Sequence, residues 1–240
     1  MHERRRAHRD THKKIEQAQS GTARAALLGI SDGLVTNVSL ILGVAGAGAE
    51  PSLVRLAGLA SLIAGALSMA VGEYVSMRGQ TELLESVLAT ERKMLHNEPE
   101  AAHSAIEDAL VNDGVERATA HTASREIGRD PEKAMAVYAR SHLGINIDEL
   151  GSAWGSAISS LIMFAFGAAI PLLPWLWLRG QTAIVTSLSL AAVSALAIGS
   201  YLGISTNGRW LRAALRQLLV LILAAGATYL IGRLFHTTIS

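Results

Sequence analysis

The sequence predicts an all-α integral membrane protein with five transmembrane helices and a small cytoplasmic three-helix lobe between the second and third helices. Half of the 240 residues are hydrophobic, only 17% are charged, and the mean hydropathy is +0.32. The charged residues are clustered, so that long uncharged stretches remain between them. This composition and this pattern are typical of helical membrane proteins that cross the bilayer several times.

The uncharged stretches define the predicted spans. They lie between Arg24 and Glu50, Arg55 and Glu73, Glu149 and Arg179, Arg179 and Arg209, and Arg216 and Arg233. A spanning helix needs about 20 apolar residues, which the third and fourth stretches exceed. The fifth stretch holds only 16 residues, so its flanking arginines must extend toward the membrane interfaces. The fifth span is therefore the one that the sequence supports least.

The positions of lysine and arginine predict the orientation, because cytoplasmic segments retain positive charge. With the amino terminus in the cytoplasm, 18 of the 21 Lys and Arg residues lie on the cytoplasmic side. Only Arg55, Arg179 and Arg233 then lie on the opposite side. We therefore expect a cytoplasmic amino terminus and an extracytoplasmic carboxyl terminus, and the compact, Ala-rich chain favours a bacterial plasma membrane.

The segment 78–149 differs from the spans, because it is rich in charge and carries apolar residues at helical spacing. Pro99 separates the continuation of the second span from a helix that ends at Asn112-Asp113-Gly114, and Pro131 begins a helix that ends near Gly144. The predicted organisation is a basic tail (1–24), spans 1 and 2 (25–77), the lobe (78–149), spans 3 to 5 (150–236) and an extracytoplasmic tail (237–240).

The strongest functional signal is Asp32, the only charged residue within the first apolar stretch. An ionised side chain in hydrocarbon costs a few kcal/mol, and such residues usually face a partner or a water-filled path. Asp32, Thr36, Ser39 and Gly43 are spaced so that they share one helix face, which we expect to line a transport pathway. The alternative is that Asp32 caps a broken helix or pairs with a cation.

The second span has a face of small residues that permits close helix packing: Gly58, Ser61, Gly65, Ser68 and Gly72. Met69 and Glu73 lie beside this face, and we expect both to reach the depth of Asp32 in the neighbouring span. Two carboxylates and a thioether form a donor set that suits Fe(II) or Mn(II). Alternatively, Met69 only fills the core, and Glu73 pairs with Arg78 at the headgroup level.

The strings GISDGLVTNVSLILG and AGLASLIAGALSMAVGEYVSM resemble the first two helices of the vacuolar iron transporter family. The similarity continues through GINIDELGSAWGSAISSLIMFAFGAAIPLLP and GISTNGRWLRAALRQLLV, and thus covers nearly the whole chain after residue 21. The resemblance implies a five-helix homodimer with a cytoplasmic metal-binding lobe, which exports ferrous iron or manganese from the cytosol in exchange for protons. Among bacterial members of the family, the chain resembles those in which no ferritin-like domain precedes the transmembrane helices.

Carried over by position, Asp32 matches the family's translocation aspartate, Met69 its pathway methionine, and Glu73 an acid that bacterial members often carry. Acids that some members have in the first two helices are replaced by Ala25 and Ser61.

The lobe departs further from the family pattern. Only Glu91 matches a metal-binding glutamate, and the other ligand positions hold Met94, Ala102, Ala105, Tyr138 and His142. Nearby carboxylate and imidazole groups are candidates to rebuild a metal site together with Glu91 and His142: His96, Glu98, Glu100, His103 and Glu107. Taken singly, these residues are more typical of a solvated helix face.

Other functions are less well supported. The chain has no cysteine, which excludes disulfides and thiolate metal sites, and it lacks a Gly-rich phosphate loop and an H-E-x-x-H motif. We therefore expect neither an enzyme nor a resident cofactor, and the net charge of +1 gives no sign of nucleic-acid binding. The expected partners are the lipid bilayer, divalent metal ions, protons and a second copy of the chain. A non-transporting metal sensor or scaffold that acts through the lobe is the alternative function.

Overall fold

The computed structural model describes residues 21–142, 151–205 and 208–239. These residues form helices joined by short connections, without a β-strand among them. The α-helices are α1 (Gly21–Gly46), α2 (Pro51–Asn97), α3 (Pro99–Asn112), α4 (Arg117–Ile127), α5 (Pro131–His142), α6 (Ala153–Leu172), α7 (Gly180–Ser205) and α8 (Trp210–Ile239). A short 3-10 helix, Leu173–Leu176, follows α6. The predicted all-α class is confirmed.

The chain forms two compact units. One comprises the residues up to Val75 and those from Ser152 onward, and it is called the bundle below. The other, Ser76–Gly151, is called the lobe.

The prediction of five membrane spans is confirmed, since five helices are long and apolar enough to cross a bilayer. The helical stretches that contain these spans are Gly21–Gly46, Pro51–Lys93, Ala153–Leu176, Gly180–Ser205 and Trp210–Phe235, and the second stretch continues from the bundle into the lobe. The last of these is longer than its uncharged stretch, because the helix begins before Arg212 and Arg216, whose side chains are exposed. Arginines near the end of a span place their charged groups in the interface while their alkyl parts remain in apolar surroundings.

Helix α1 packs against α6 through glycines that bring the two backbones together. A Cβ atom at Gly33 would lie 2.9 Å from the carbonyl carbon of Phe164 and 3.0 Å from the amide nitrogen of Ala168. A Cβ at Gly167 would lie 3.0 Å from the amide nitrogen of Leu34. Small residues permit this close approach, which gives van der Waals contact where lipid provides no hydrophobic driving force.

Helix α8 crosses both α1 and α7 at further glycines. A Cβ at Gly232 would lie 3.0 Å from the amide nitrogen of Ala47, and one at Gly199 would lie 2.6 Å from the Cα of Ala214. A buried apolar cluster joins these three helices: Leu34, Val38, Leu42, Ala191, Ala195, Leu221 and Ala225. The core of the bundle is therefore centred on α1.

The first half of the small-residue face of α2 meets side chains of the bundle, whereas Ser68 and Gly72 further along are exposed. A Cβ at Gly58 would contact Leu172 and Ile41, and one at Gly65 would contact the ring of Phe164. The opposite face of α2 is exposed and consists of large apolar residues, including Leu56, Leu59, Ile63, Leu67 and Val71.

The lobe has its own small core, formed by Ile106, Ala134 and Tyr138. Helix α3 begins at Pro99 and ends before Gly114, whose φ of +94° favours glycine. Helix α4 was not predicted from the sequence. Only Ala120 and Ser124 of this helix are buried, so it lacks the large apolar residues that would have revealed its periodicity.

Candidate functional site

Asp32 lies on an exposed ridge of α1, formed by residues four apart: Arg24, Leu28, Asp32, Thr36 and Leu40. The hydroxyl of Thr36, one turn further along, donates a hydrogen bond of 3.0 Å to Asp32 Oδ1. The adjacent Gly33 is packed against the backbone of α6, which turns the Asp32 position away from that helix. The carboxylate is therefore presented on the outer side of α1 with a hydroxyl beside it.

The polar stripe predicted on α1 is divided in the structure. Asp32 and Thr36 are exposed, whereas Ser39 is buried and Gly43 lies against Thr228 of α8. A Cβ at Gly43 would lie 3.4 Å from the carbonyl oxygen of Thr228. The crossing of α8 over α1 covers the second half of the stripe, so that the open half is limited to the acid and the threonine.

Glu73 forms an ion pair with Arg24, in which Arg24 Nη2 lies 3.1 Å from Glu73 Oε1. The Glu73 side chain is only 10% exposed, whereas that of Arg24 is 61% exposed. Arg24 precedes Asp32 by eight residues, which is about 12 Å along the helix. The structure therefore brings Glu73 to Arg24 rather than to Asp32. Arg78, the partner considered from the sequence, binds Glu82 at 2.8 Å.

An aromatic contact lies next to this ion pair. The ring of Tyr74, which follows Glu73 in α2, lies 4.8 Å from the ring of Trp154 in α6, centroid to centroid, at an angle of 51°. Tilted aromatic pairs of this kind are favourable. The region around Glu73 is thus attached to α1 by charge and to α6 by aromatic packing.

Met69 is half-buried and packs against the cluster of Ala66, Phe164 and Ala168. This contact fits the interpretation of Met69 as a core residue, and it also places the thioether beside the α6 residues that pack on α1. Across the residues whose side chains the structure describes, no group of three or more His, Asp or Glu side chains is close enough to hold a metal ion. Within the described side chains, the predicted His, Asp and Glu ligands therefore form no group of three.

The sequence analysis did not single out Asn37, which lies in α1 but not on the face shared by Asp32, Thr36, Ser39 and Gly43. Its side chain is fully buried, and its Nδ2 donates a hydrogen bond of 2.6 Å to the carbonyl oxygen of Ala168 in α6. An asparagine in an apolar stretch is itself a signal, because a buried amide needs a partner. Asn37 fixes the rotation of α1 against α6 and hence the face on which Asp32 lies.

In the lobe, Glu91 accepts a hydrogen bond of 3.2 Å from the hydroxyl of Tyr138. Tyr138 is 4% exposed. Burial raises the pKa of Tyr138 above its usual value, and the negative charge of Glu91 and the hydrogen bond to it raise the pKa further. The glutamate that matches the family pattern is therefore engaged with a tyrosine.

The acidic side chains of α3 are paired with basic side chains of α4. Glu107 lies 3.5 Å from Arg117 and 3.8 Å from His121, and Glu100 lies 3.8 Å from Arg125. The three basic residues of α4 are spaced four apart and share one helix face. The helix that the sequence did not predict thus provides counter-charges for two of the predicted metal ligands.

Of the remaining lobe candidates, the structure describes the side chains of His103 and Glu98. His103 Nδ1 lies 3.1 Å from the carbonyl oxygen of Ser124, and because a carbonyl only accepts, this nitrogen carries the proton. Glu98 is exposed immediately before α3. The side chains of Met94, His96 and His142 lie outside the described part of the structure.

A helical membrane protein whose first span presents a carboxylate in the middle of its apolar stretch is typical of the class that moves ions or small polar solutes across a bilayer. The model of the VIT family matches residues 23–233 of this chain. The chain belongs to the VIT family, as the sequence predicted.

Individual relatives agree with this assignment. Vacuolar iron transporter 1 of Oryza sativa subsp. japonica is 27% identical over 96% of this chain and 92% of its own length. Vacuolar iron transporter homolog 2 of the same organism is 31% identical over 92% of this chain and 94% of its own length. Vacuolar iron transporter of Acanthamoeba castellanii is 33% identical over 77% of this chain and 68% of its own length. All three are named as transporters, and the prediction that the chain is not an enzyme is confirmed.

Proposed function

We propose that this protein exports ferrous iron or manganese from the cytosol in exchange for protons. The observation that carries the proposal is Asp32, a carboxylate on an exposed ridge of a membrane-spanning helix. The names of the relatives support iron as a substrate. Manganese is the second candidate, because carboxylate oxygens are ligands that suit Mn(II).

The transport pathway follows the Asp32 ridge. Asp32 is the principal ligand, and Thr36 orients its carboxylate. Met69 and Glu73 supply a thioether and a second carboxylate that the metal ion meets at other points of the pathway. Ser39 lies further along the pathway, where α8 covers α1 and closes it. This donor set holds a divalent ion with moderate affinity, so that the ion is released again on the far side.

Protons supply the driving force. Moving a divalent cation out against a negative-inside potential of about 100 mV costs about 4.6 kcal/mol, which is the electrical energy of two unit charges. Entry of two protons for each metal ion cancels this electrical cost. Carboxylates that bind metal must release their protons, so Asp32 exchanges a proton for the metal ion, whereas Glu73 exchanges its bond to Arg24 for either cargo.

A second copy of the chain completes the site. The single chain leaves Asp32 exposed, and a carboxylate on the outer surface of a span needs a partner or a water-filled cavity. The large apolar residues on the exposed face of α2, such as Leu59 and Ile63, provide a surface for such a contact. A homodimer in which two Asp32 ridges face one another shields both carboxylates from lipid.

The lobe is cytoplasmic in this proposal, as is the amino terminus, because most of the lysines and arginines outside the spans lie in these segments. The cytoplasmic side is where metal and regulatory ligands are encountered before export. A bacterial plasma membrane as the host makes the activity a detoxification of the cytoplasm.

A metal sensor or scaffold is the second candidate function. One observation favours it, namely that Glu100 and Glu107 are paired with arginines of α4, with which a metal ion would compete. In that case the lobe captures a partner protein and no ion crosses the membrane.

Reconstitution into liposomes distinguishes the two functions. The protein is incorporated into vesicles that contain a metal-quenched dye or a pH-sensitive dye, and Fe(II) or Mn(II) is added under an imposed pH gradient. Metal flux that depends on the gradient, with a matching proton flux in the opposite direction, supports the exporter. Folded protein that gives no more flux than empty vesicles with either metal supports the scaffold.

A further inference from the structure

The lobe contains a cavity of about 700 Å³, lined by the end of α2, by α3 and α5, and by Gly128. Its apolar lining includes Ala89, Ala102, Ile106, Ala134 and Met135. Ile106 and Met135 are buried and belong to the floor, whereas Ala89 is exposed at the rim. A volume in the range of about 300 to 1,000 Å³ is typical of sites for small organic ligands.

The charged residues that line this cavity are predominantly basic. Arg92, Lys93 and His103 line it, and Glu132 is its acidic lining residue. Arg92 Nη2 already binds Glu132 Oε2 at 2.7 Å, which neutralises this carboxylate. With His103 neutral, the two cations and the one anion leave a formal charge of +1, which is carried by Lys93.

This charge distribution opposes a divalent metal ion in the cavity. Hard and borderline cations need several anionic oxygen, imidazole or sulfur ligands, and Glu132, the one carboxylate among the described lining residues, is held by an arginine. Glu100 and Glu107, the acids of α3, bind the basic residues of α4 and do not line the cavity. An electropositive rim above an apolar floor is complementary to an anion that carries an apolar group.

We propose that the lobe cavity binds a small soluble organic anion, either a carboxylate or a phosphate monoester with an apolar body. Lys93 provides the main charge contact, and Asn97 adds an amide donor at the same cavity. The apolar body lies against Ile106 and Met135. Because α2, α3 and α5 all contribute to the lining, an occupied cavity stabilises the arrangement of these helices. The proposal does not depend on the direction or the substrate of transport.

Isothermal titration of the full chain with phenyl phosphate tests the proposal, with the protein in nanodiscs of phosphatidylcholine at about 0.15 M salt. We expect saturable binding of one phenyl phosphate per chain. Inorganic phosphate, which lacks the apolar body, should bind at least tenfold more weakly, and benzyl alcohol, which lacks the charge, should not bind. Equal affinity for phenyl phosphate and inorganic phosphate, or saturable binding of benzyl alcohol, would overturn the assignment of the ligand class.

Two lysine variants locate the site. Lys93→Gln should weaken phenyl phosphate binding at least tenfold, whereas Lys133→Gln should leave it within twofold. Lys133→Gln is a matched control, since it removes the same charge from the lobe. Lys133 binds Asp130 at 3.2 Å and does not line the cavity. Equal losses in both variants, or no saturable binding to the unchanged protein, would contradict the proposal. If Lys93→Gln does not fold, Ala102→Phe, which fills the cavity, should abolish binding.

A phosphate group can also belong to a lipid, and nanodiscs that contain phosphatidic acid distinguish this source. Affinity for phenyl phosphate that changes less than threefold in these discs supports a soluble ligand. A loss of tenfold or more would assign the cavity to a lipid headgroup and would overturn the proposal of a soluble anion.

Discussion

The guanidinium of Arg24 in α1 and the carboxylate of Glu73 in α2 form an ion pair of 3.1 Å, about two helical turns from Asp32. Glu73 is largely buried, so its charge requires a partner, and Arg24 supplies it. A metal ion that binds Glu73 must compete with this guanidinium. The guanidinium of Arg24 thus competes with the metal ion for Glu73, the second carboxylate of the proposed pathway.

The first prediction concerns this competition. Arg24→Gln should lower the apparent KM for Mn(II) several-fold in vesicle flux measurements, because no tethered cation then opposes the metal at Glu73. Arg179→Gln, which removes an exposed arginine from the connection between the 3-10 helix and α7, is the control and should leave KM unchanged. An unchanged or higher KM in Arg24→Gln would show that Glu73 takes no part in metal binding.

The second prediction concerns the α1–α6 contact. Gly33→Ala should destabilise the bundle by roughly 1 to 3 kcal/mol, because the added methyl group meets the backbone of Phe164 and Ala168. Gly226→Ala in α8 is the matched control, since no atom lies within 4 Å of the position that its Cβ would take. This control should be neutral or stabilising by up to about 1 kcal/mol. Thermal unfolding in detergent measures both, and equal stability of the two variants would contradict the close packing.

The third prediction concerns the pH dependence of the lobe. Because the pKa of Tyr138 is raised in the folded state, its contribution to stability is fully present below about pH 10 and is lost as the pH rises through the folded pKa. Tyr138→Phe removes this titration and the hydrogen bond to Glu91, at a cost of about 1 kcal/mol at neutral pH.

Circular dichroism of the full chain at pH 9 and pH 11 checks this prediction. The melting temperature of the lobe transition should fall less between these two pH values in Tyr138→Phe than in the unchanged protein. Tyr201→Phe, at an exposed position in α7, should behave like the unchanged protein. The same pH dependence in all three proteins would exclude the Tyr138–Glu91 contact as its source.

The fourth prediction concerns the homodimer. The chain has no cysteine, so single cysteines report contacts without interference. At least one of Leu59→Cys, Ile63→Cys and Leu67→Cys, on the exposed face of α2, should form a disulfide between two copies on mild oxidation in membranes. A disulfide requires Cα atoms within about 7 Å of each other. Val193→Cys on α7 is the exposed control. Failure of all three, or equal cross-linking of the control, would count against a dimer through α2.

The sequence was sufficient to predict the spans, because each is a long apolar stretch between charges and this pattern depends on few tertiary details. It did not predict α4, whose buried residues are an alanine and a serine. Ion pairs between Arg117 and Glu107 and between Arg125 and Glu100 link α4 to α3, and hydropathy does not register such contacts.

The site was predicted less completely than the fold. Asp32 and Thr36 share a face, as helical spacing requires, and their hydrogen bond agrees with it. Helical spacing placed Ser39 on the same stripe. Whether a residue of α1 is covered depends on where other helices such as α8 cross it, and the sequence of α1 does not define this position. For the same reason the partner of Glu73 was not predicted, since the register between α1 and α2 is set by the packing of whole helices.

The most direct test of the proposed transport is the effect of Asp32→Asn on metal flux. This change keeps the size of the side chain and its ability to bind Thr36 but removes the negative charge. Asp113→Asn, at an exposed position in the lobe, makes the same chemical change outside the membrane. We predict that Asp32→Asn abolishes gradient-driven Fe(II) and Mn(II) flux in liposomes and that Asp113→Asn retains it. Full flux through folded Asp32→Asn protein would contradict the proposed pathway.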